Sequence, residues 1–468
     1  MTLNAAADEL LEGLGGALER AARRGRRTLA SATIEVEGMD PSALVLASRL
    51  ASDRWFCWEQ PDAGGFALAT LGSVREVVSR GDERFADLER DCTELIRDAE
   101  SSEPAGLVPG AGPVWTGGFA FDPDGGAASQ WSSLPPALMV MPELSLVRAD
   151  GRCFLTANAI LEDGEGPDRA RQAIRRRLAS LSDRPIGPLD PDPVAGTKIS
   201  APHAPGRYEA LVADARKRIR ASELEKVVLA REVVVTAPSA HDPAPVFGAL
   251  REAFPSCFSF ACGTPEAVFI GASPELLIRR RGAVAATVAL AGSTRRSADP
   301  AVDDHLGQQL LTSGKERSEH EIVIRRIEKA LRPHSVWVQA EPDPSLVQIA
   351  NIQHLATPVR AQLADSRSAI ALAGALHPTP AVGGEPGDVA LDLIAELEGM
   401  DRGWYAAPVG WMDATEDGEF CVALRSGLLR DRDAHLFAGA GIVADSDPAA
   451  ELAETEIKLQ ALLPLLTG

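Results

Sequence analysis

Leu276-Leu277-Ile278-Arg279-Arg280-Arg281-Gly282-Ala283-Val284-Ala285-Ala286-Thr287-Val288-Ala289-Leu290 is the stretch that sets the fold class. Two apolar runs flank an Arg-Arg-Gly turn, and the glycine supplies the positive φ that a tight reversal needs, so the runs close as an antiparallel hairpin. Outward on the N-terminal side, strands are expected at 257–262 and 268–272. Before them come a helix at 243–254, a strand at 226–236 and a helix at 207–222. On the C-terminal side the periodicity predicts helices at 300–331, 366–376 and 387–397. Strands follow at 405–412, 420–429 and 435–437, then a last helix at 447–465. Hairpins set between free-standing helices argue for an α+β fold and against a doubly wound parallel sheet.

The first part of the chain reads as mixed helix and strand. A strand is expected at 65–71, helical periodicity at 74–99 and a buried strand at 117–121. A hairpin over 144–159 turns at Ala149-Asp150-Gly151, and a helix covers 169–181. Pro185-Ile186-Gly187-Pro188-Leu189-Asp190-Pro191-Asp192-Pro193 suits neither a helix nor a central strand. The main boundary is placed there. It leaves an N-terminal α/β part at 1–190, packed into the same fold, and a larger C-terminal region at 195–468.

The 468 residues carry 67 acidic and 47 basic side chains, a formal net charge of -20. Such a chain lacks the positive potential that binds nucleic acid or anionic membrane surfaces, so any anionic ligand must meet cations gathered in one pocket. No apolar run reaches the roughly 18 residues of a membrane span. The first segment, 5–27, has Leu10, Leu11, Leu14 and Leu18 at helical spacing, with Asp8, Glu9, Glu12 and Glu19 that a signal peptide avoids. The six cysteines form no C-x-x-C pair and read as buried free thiols of a cytoplasmic protein. Only six of the basic residues are lysines, among them Lys226, Lys315 and Lys458. Each is of interest because lysine, unlike arginine, can lose its proton inside a protein.

Nucleotide and zincin motifs fail: Gly314-Lys315 continues with Glu316, and His320-Glu321 lacks a second histidine at position 324, which is isoleucine. Glu316 and Glu319 share one helix face, and so do Glu451, Glu454 and Lys458. Converging, the two faces would offer Mg²⁺ the carboxylates it uses beside an anionic substrate; apart, they are solvated surface. Lys226 opens an apolar strand, where desolvation would lower its pKa and make it a base, or where its stem reaches out to water. Glu275, after Gly271-Ala272-Ser273-Pro274, is a buried acid held protonated or a charge at a strand edge. Glycines in Ala291-Gly292-Ser293 and Ala438-Gly439-Ala440-Gly441 let backbone amides approach an anion, or serve tight turns.

From about residue 200 onward the chain resembles the chorismate-utilising enzymes, the family of isochorismate synthases, salicylate synthases and the large subunits of anthranilate and aminodeoxychorismate synthases. The resemblance rests on Glu225-Lys226-Val227-Val228-Leu229-Ala230-Arg231, Gly271-Ala272-Ser273-Pro274-Glu275-Leu276-Leu277 and Leu290-Ala291-Gly292-Ser293. It continues through Lys315-Glu316-Arg317-Ser318-Glu319-His320-Glu321, Gln353-His354-Leu355 and Leu376-His377-Pro378-Thr379-Pro380-Ala381. Asp401-Arg402-Gly403-Trp404-Tyr405, Phe437-Ala438-Gly439-Ala440-Gly441-Ile442 and the segment 451–458 complete it. It implies the anthranilate synthase component I-like fold, antiparallel sheets packed together and flanked by helices.

The same resemblance implies the chemistry. Lys226 sits where water-using members carry a lysine base, and ammonia-using members have glutamine there. Ala291 replaces the lysine of aminodeoxychorismate synthases, and Ala381 stands where salicylate and anthranilate synthases have threonine. Isochorismate synthase is therefore the expected activity, with salicylate synthase the nearest alternative, and anthranilate synthase component I or a non-catalytic chorismate-binding relative behind it. The implied cofactor is Mg²⁺, held by Glu319 and Glu454 with Glu316 and Glu451 close by. Lys226 is the implied base for water and Glu275 the acid for the leaving hydroxyl. Arg425, Tyr405 and Gly439 would hold the enolpyruvyl carboxylate, with Gly292, Ser293, His354 and Lys458 around the ring and Ala381 lining it. The implied partner is the small molecule chorismate, handled by a monomer without an amidotransferase subunit.

Overall fold

A computed structural model of the chain describes residues 3–190, 192, 195–349 and 352–467. Two large sheets organise it. The first runs, edge to edge, through strands Lys198–Ser200, Lys226–Thr236, Asp433–Ile442, Ser426–Arg430, Val268–Ser273, Phe258–Gly263, Trp55–Gln60, Phe66–Leu71, Leu144–Ala149, Arg152–Leu161, Thr28–Val36 and Glu100–Ser102. The second runs through Ser335–Ala340, Ile352–Leu363, Val284–Arg295, Leu276–Arg281, Gly418–Val422, Pro408–Asp413, Val114–Phe119, Ala137–Met141 and Arg75–Ser79. Among the described residues the pairings are antiparallel, save the short parallel match of Thr28–Val36 with Glu100–Ser102. Both sheets draw strands from either side of the proline-rich connector.

One core lies between the sheets, with Trp58, Trp115, Trp131, Trp404 and Trp411 fully buried. A second fills the outer face of the first sheet, which the helices Leu3–Arg23, Pro167–Ala179 and Pro243–Ala253 cover. The leucines of the N-terminal helix, Leu10, Leu11, Leu14 and Leu18, are all buried there, as an apolar stripe at helical spacing requires.

Two of the chain segments that pass from one sheet to the other form corners that shape the site. Val268–Ser273 belongs to the first sheet and Leu276–Arg281 to the second, with Pro274 and Glu275 between them. Pro274 has no N–H to give a ladder, so pairing must stop there. The return passage runs from Gly418–Val422 to Ser426–Arg430 through Ala423, Leu424 and Arg425, the last at φ +49°. The corners lock together: Val422 N–H donates to the Glu275 carbonyl at 3.0 Å, and Ala272 N–H to that of Arg425 at 3.2 Å. The Ser273 hydroxyl spans them to the Val422 carbonyl.

Several sequence expectations need correction. The single helix expected at 300–331 is two, Pro300–Thr312 and Gly314–Leu331, because the Ser313 side chain accepts from Glu316 N–H and starts a new helix. The stretch 74–99 divides into the strand Arg75–Ser79 and the helix Arg84–Arg97. The strand at 420–429 breaks at the corner just described. The last helix ends at Leu459, and Leu463–Thr467 is a separate turn of helix. The strands Ser335–Ala340, Ser345–Ile349 and Ile352–Leu363 were not foreseen. No helix among the described residues is long and apolar enough to cross a membrane.

Candidate active site

The elements that carry the family blocks end around one cavity. Its walls include Lys226, Glu275, Gly292, Ser293, Glu316, Glu319, His354, Ala381, Arg425, Glu451, Glu454 and Lys458. These are twelve of the fourteen residues expected from sequence. The other two, Tyr405 and Gly439, stand immediately behind. The Gly439 carbonyl accepts from Lys458 Nζ at 2.9 Å, and a Cβ placed on Gly439 would come within 3.3 Å of the Tyr405 hydroxyl. Tyr405 is buried and stacks on Phe437, with ring centroids 5.3 Å apart. The wall also holds Lys315 and Gly441, to which the family motifs containing them assign no role. The scarcity of lysine was the signal available for Lys315.

Each side chain is placed by its local structure. Lys226 opens the strand Lys226–Thr236, and its partner strand residue is Glu385. With only 1% of its side chain exposed, its Nζ lies 2.7 Å from Glu319 Oε1. Glu275 sits on the corner between the sheets, its N–H bonded to the Ser273 hydroxyl. Gly292 is the extra residue of a β-bulge: Ala291 faces Leu355, Ser293 faces His354, and Gly292 at φ +78° has no partner. The bulge leaves room for Glu316, whose Oε2 would be 3.1 Å from a Cβ at position 292. Asp447 caps the helix Pro448–Leu459, which presents Glu451, Glu454 and Lys458. Lys458 Nζ meets Glu454 Oε1 at 2.5 Å.

The electrostatics follow from burial. Burial pushes the Glu275 pKa from 4.5 up to about 7, although Lys226, Lys458 and Arg425 pull the other way. A carboxyl held near neutrality can give up a proton at working pH. Burial, with Arg425 and Lys458 nearby, depresses His354 well below the ordinary imidazole range. It is therefore neutral, and its Nε2 accepts from Arg425 Nη2 at 3.3 Å.

The four metal-ligand candidates lie in the first two turns of the helices Gly314–Leu331 and Pro448–Leu459, which line the same cavity. Burial and the nearby Glu454 raise Glu451 to about 7, and burial and Glu319 raise Glu316. For Glu454, burial is outweighed by Lys458, which brings the carboxylate below its usual range. Among the described residues no three carboxylates or imidazoles are arranged to enclose a metal ion. Mg²⁺ does not require that, since it commonly binds one or two carboxylates plus substrate oxygens and water. Four carboxylates lining one cavity are hard oxygen donors of the kind a divalent cation takes, so the donor set fits.

The family model for the chorismate binding enzyme matches residues 16–467. The salicylate biosynthesis isochorismate synthase of Pseudomonas aeruginosa is 38% identical across 98% of this chain and 95% of its own. An isochorismate synthase of Bacillus subtilis is 33% identical across 97% of this chain and 96% of its own. Among solved structures, the menaquinone-specific isochorismate synthase of Escherichia coli superposes with a TM-score of 0.80 at 26% identity, covering 97% of this chain and 100% of that one. Anthranilate synthase component I of Streptococcus pneumoniae shares the fold, with a TM-score of 0.66 at 22% identity over 85% of this chain and 92% of that one.

Proposed function

Because the chain belongs to the chorismate-binding enzymes, we propose that it is an isochorismate synthase, which converts chorismate to isochorismate by adding water at C2 and releasing the C4 hydroxyl. The observation that carries this reading is the placement of a buried lysine and a buried, proton-holding glutamate on the wall of one cavity. Relatives that match the chain nearly end to end bear the same activity in their names.

In this reading Lys226, acting as the neutral amine with its own proton given up beforehand, takes a proton at Nζ from water as the water oxygen bonds to C2. The ring double bonds shift, the C4–O bond breaks, and Glu275 delivers its proton to the departing oxygen. One water is consumed and one released, so the product is an isomer. Glu275 is suited to the acid role because burial holds its proton near neutrality. Arg425, anchored on His354, is the cation for the enolpyruvyl carboxylate, with Tyr405 and Gly439 supporting that wall. Gly292 and Ser293 on the bulge and Lys458 bound the ring end, and Ala381 leaves it room. Mg²⁺ held by Glu319 and Glu454, with Glu316 and Glu451 beside them, would neutralise the ring carboxylate. A water nucleophile calls for no amidotransferase subunit, and we read the enzyme as a cytoplasmic monomer, in keeping with six buried, unpaired cysteines.

The test is purified protein with chorismate, with and without Mg²⁺, products identified by NMR. Isochorismate formed only with the metal, and lost in Lys226→Ala and Glu275→Gln, is the expected result. Salicylate with equimolar pyruvate would move the chain to the salicylate synthases, and no conversion would overturn an enzymatic reading.

A further inference from the structure

Gly439 and Gly441 lie two apart in the strand Asp433–Ile442 and so face the same side of the sheet. They pair in regular register with Ala230 and Val228, and neither is among the residues of positive φ. No turn or left-handed backbone calls for glycine here, and glycine weakens a strand interior. A strand glycine commonly marks a close approach by another group. At Gly441 the approaching atoms can be named. A Cβ there would lie 2.8 Å from Glu319 Oε1, 3.0 Å from Lys226 Cε and 3.4 Å from Lys226 Nζ, and these are its three nearest contacts.

The other cavity glycines differ. Gly292 has the positive φ of its bulge, and a Cβ at Gly439 would first meet the Leu229 carbonyl, 3.0 Å away. Only at Gly441 are all the nearest atoms side-chain atoms of the buried Lys226–Glu319 pair. We propose that Gly441 is a positioning residue whose missing side chain forms the seat on which the Lys226–Glu319 ion pair lies, fixing where Lys226 Nζ enters the cavity. The catalytic consequence rests on the function proposed above; the seat itself does not.

A methyl group at this position has to displace the pair, because neither the strand backbone nor its hydrogen-bonded partner can recede. The test is a cycle of Gly441→Ala made in the natural sequence and in a Lys226→Ala/Glu319→Ala background. Removing both partners leaves no buried charge unpaired. Denaturant unfolding midpoints are read in metal-free buffer, and kcat and KM for chorismate are read with Mg²⁺.

In the natural sequence Gly441→Ala should lower the midpoint and reduce kcat about 10- to 100-fold, the scale of loss from sub-ångström to ångström misplacement of a reacting group. KM should change much less. In the pairless background the same methyl should leave the midpoint unmoved. Equal midpoint losses in both backgrounds overturn the proposal, as does an unchanged kcat in a natural sequence that converts chorismate. A natural protein that does not convert chorismate overturns the reaction instead, and the midpoints still decide the seat. Should Gly441→Ala alone not fold, the triple variant must, and its failure also overturns the proposal.

Discussion

Glu275→Gln should make the protein both less active and more stable, with the gain in stability depending on pH. Burial raises the Glu275 pKa from 4.5 to about 7. The native state therefore holds a proton that the unfolded chain releases as pH climbs past 4.5. Where the native state binds more protons, stability falls with rising pH. The loss accrues between 4.5 and about 7 and is constant above that. Glutamine has the shape of the protonated acid and does not titrate. A proton held only by the folded chain costs about 1.36 kcal/mol of stability for each pH step of one across that window. Between about pH 5 and pH 8 the variant should therefore gain on the order of 2–3 kcal/mol on the natural protein. Urea unfolding of both proteins at the two pH values measures it. At the same time kcat should drop by about 10²- to 10⁴-fold, the usual worth of a positioned general acid. The natural enzyme's kcat should decline on the alkaline side as the acid ionises near pH 7. A stability gap that does not change with pH would refute the reasoning, because it would mean that Glu275 titrates as an ordinary carboxyl.

Lys315, 43% exposed and 3.8 Å from Glu316, is a cation of the cavity wall beside no proposed bond-making atom. Lys315→Ala should raise KM about fivefold, for ~1 kcal/mol of solvent-screened attraction, and leave kcat nearly unchanged; a fall in kcat at constant KM would contradict it. Glu398 and Arg402 form an almost fully buried pair, 2.5 Å apart, and Arg402 also bonds the carbonyls of Val382 and Val228. Glu398→Ala strands that guanidinium and should cost about 3–5 kcal/mol, read as a lower unfolding midpoint, and an unchanged midpoint would show that the pair is dispensable. Ser313→Ala removes the cap of the helix carrying Glu316 and Glu319 and should cost about 1 kcal/mol, which calorimetry can check against the neutral expectation for a surface serine.

The fold was most legible where turn chemistry and apolar alternation agree. The strand Lys226–Thr236 was read to the residue, and Asp150 and Gly151 both take the positive φ expected of their hairpin. The errors have a common physical origin. At 420–429 apolar residues lie on both sides of Arg425-Ser426-Gly427, because both flanks are buried, one in each sheet, and the polar interruption at Arg425 is the corner itself. At 300–331 the helical period continues across Ser313, whose capping bond is a local preference that periodicity does not register. The meander at 335–363 alternates weakly, since its outer strand leaves Val336 and Trp337 exposed. For the site, spacing alone placed Glu316 with Glu319 and Glu451 with Glu454 and Lys458. It could not place the two helices against each other, or bring Lys226 to Glu319 across 93 positions. That convergence is tertiary, and only the likeness of many separate blocks to one family anticipated it. Gly441 lies within such a block, but the atoms that a Cβ there would meet, those of the Lys226–Glu319 pair, come from elements remote in sequence.

A protein of net charge -20 that takes a dianion must solve the problem inside its cavity, and the wall shows how. Five carboxylates, Glu275, Glu316, Glu319, Glu451 and Glu454, stand with four cations, Lys226, Lys315, Arg425 and Lys458. With every group ionised the wall is already slightly negative, so a dianion entering by itself would be repelled. A dianion arriving with a divalent cation adds no charge at all. Burial first, and then the neighbouring carboxylates, raise the pKa values of Glu316 and Glu451, the second cause being the same crowding of negative charge. In the proposed mechanism the Glu275 proton trims the wall's negative charge further at neutral pH and is then given to the leaving group. In the proposed mechanism metal, substrate and acid are thus three parts of one charge balance, and on that reading the carboxylates outnumber the cations because the anion would arrive with a divalent cation.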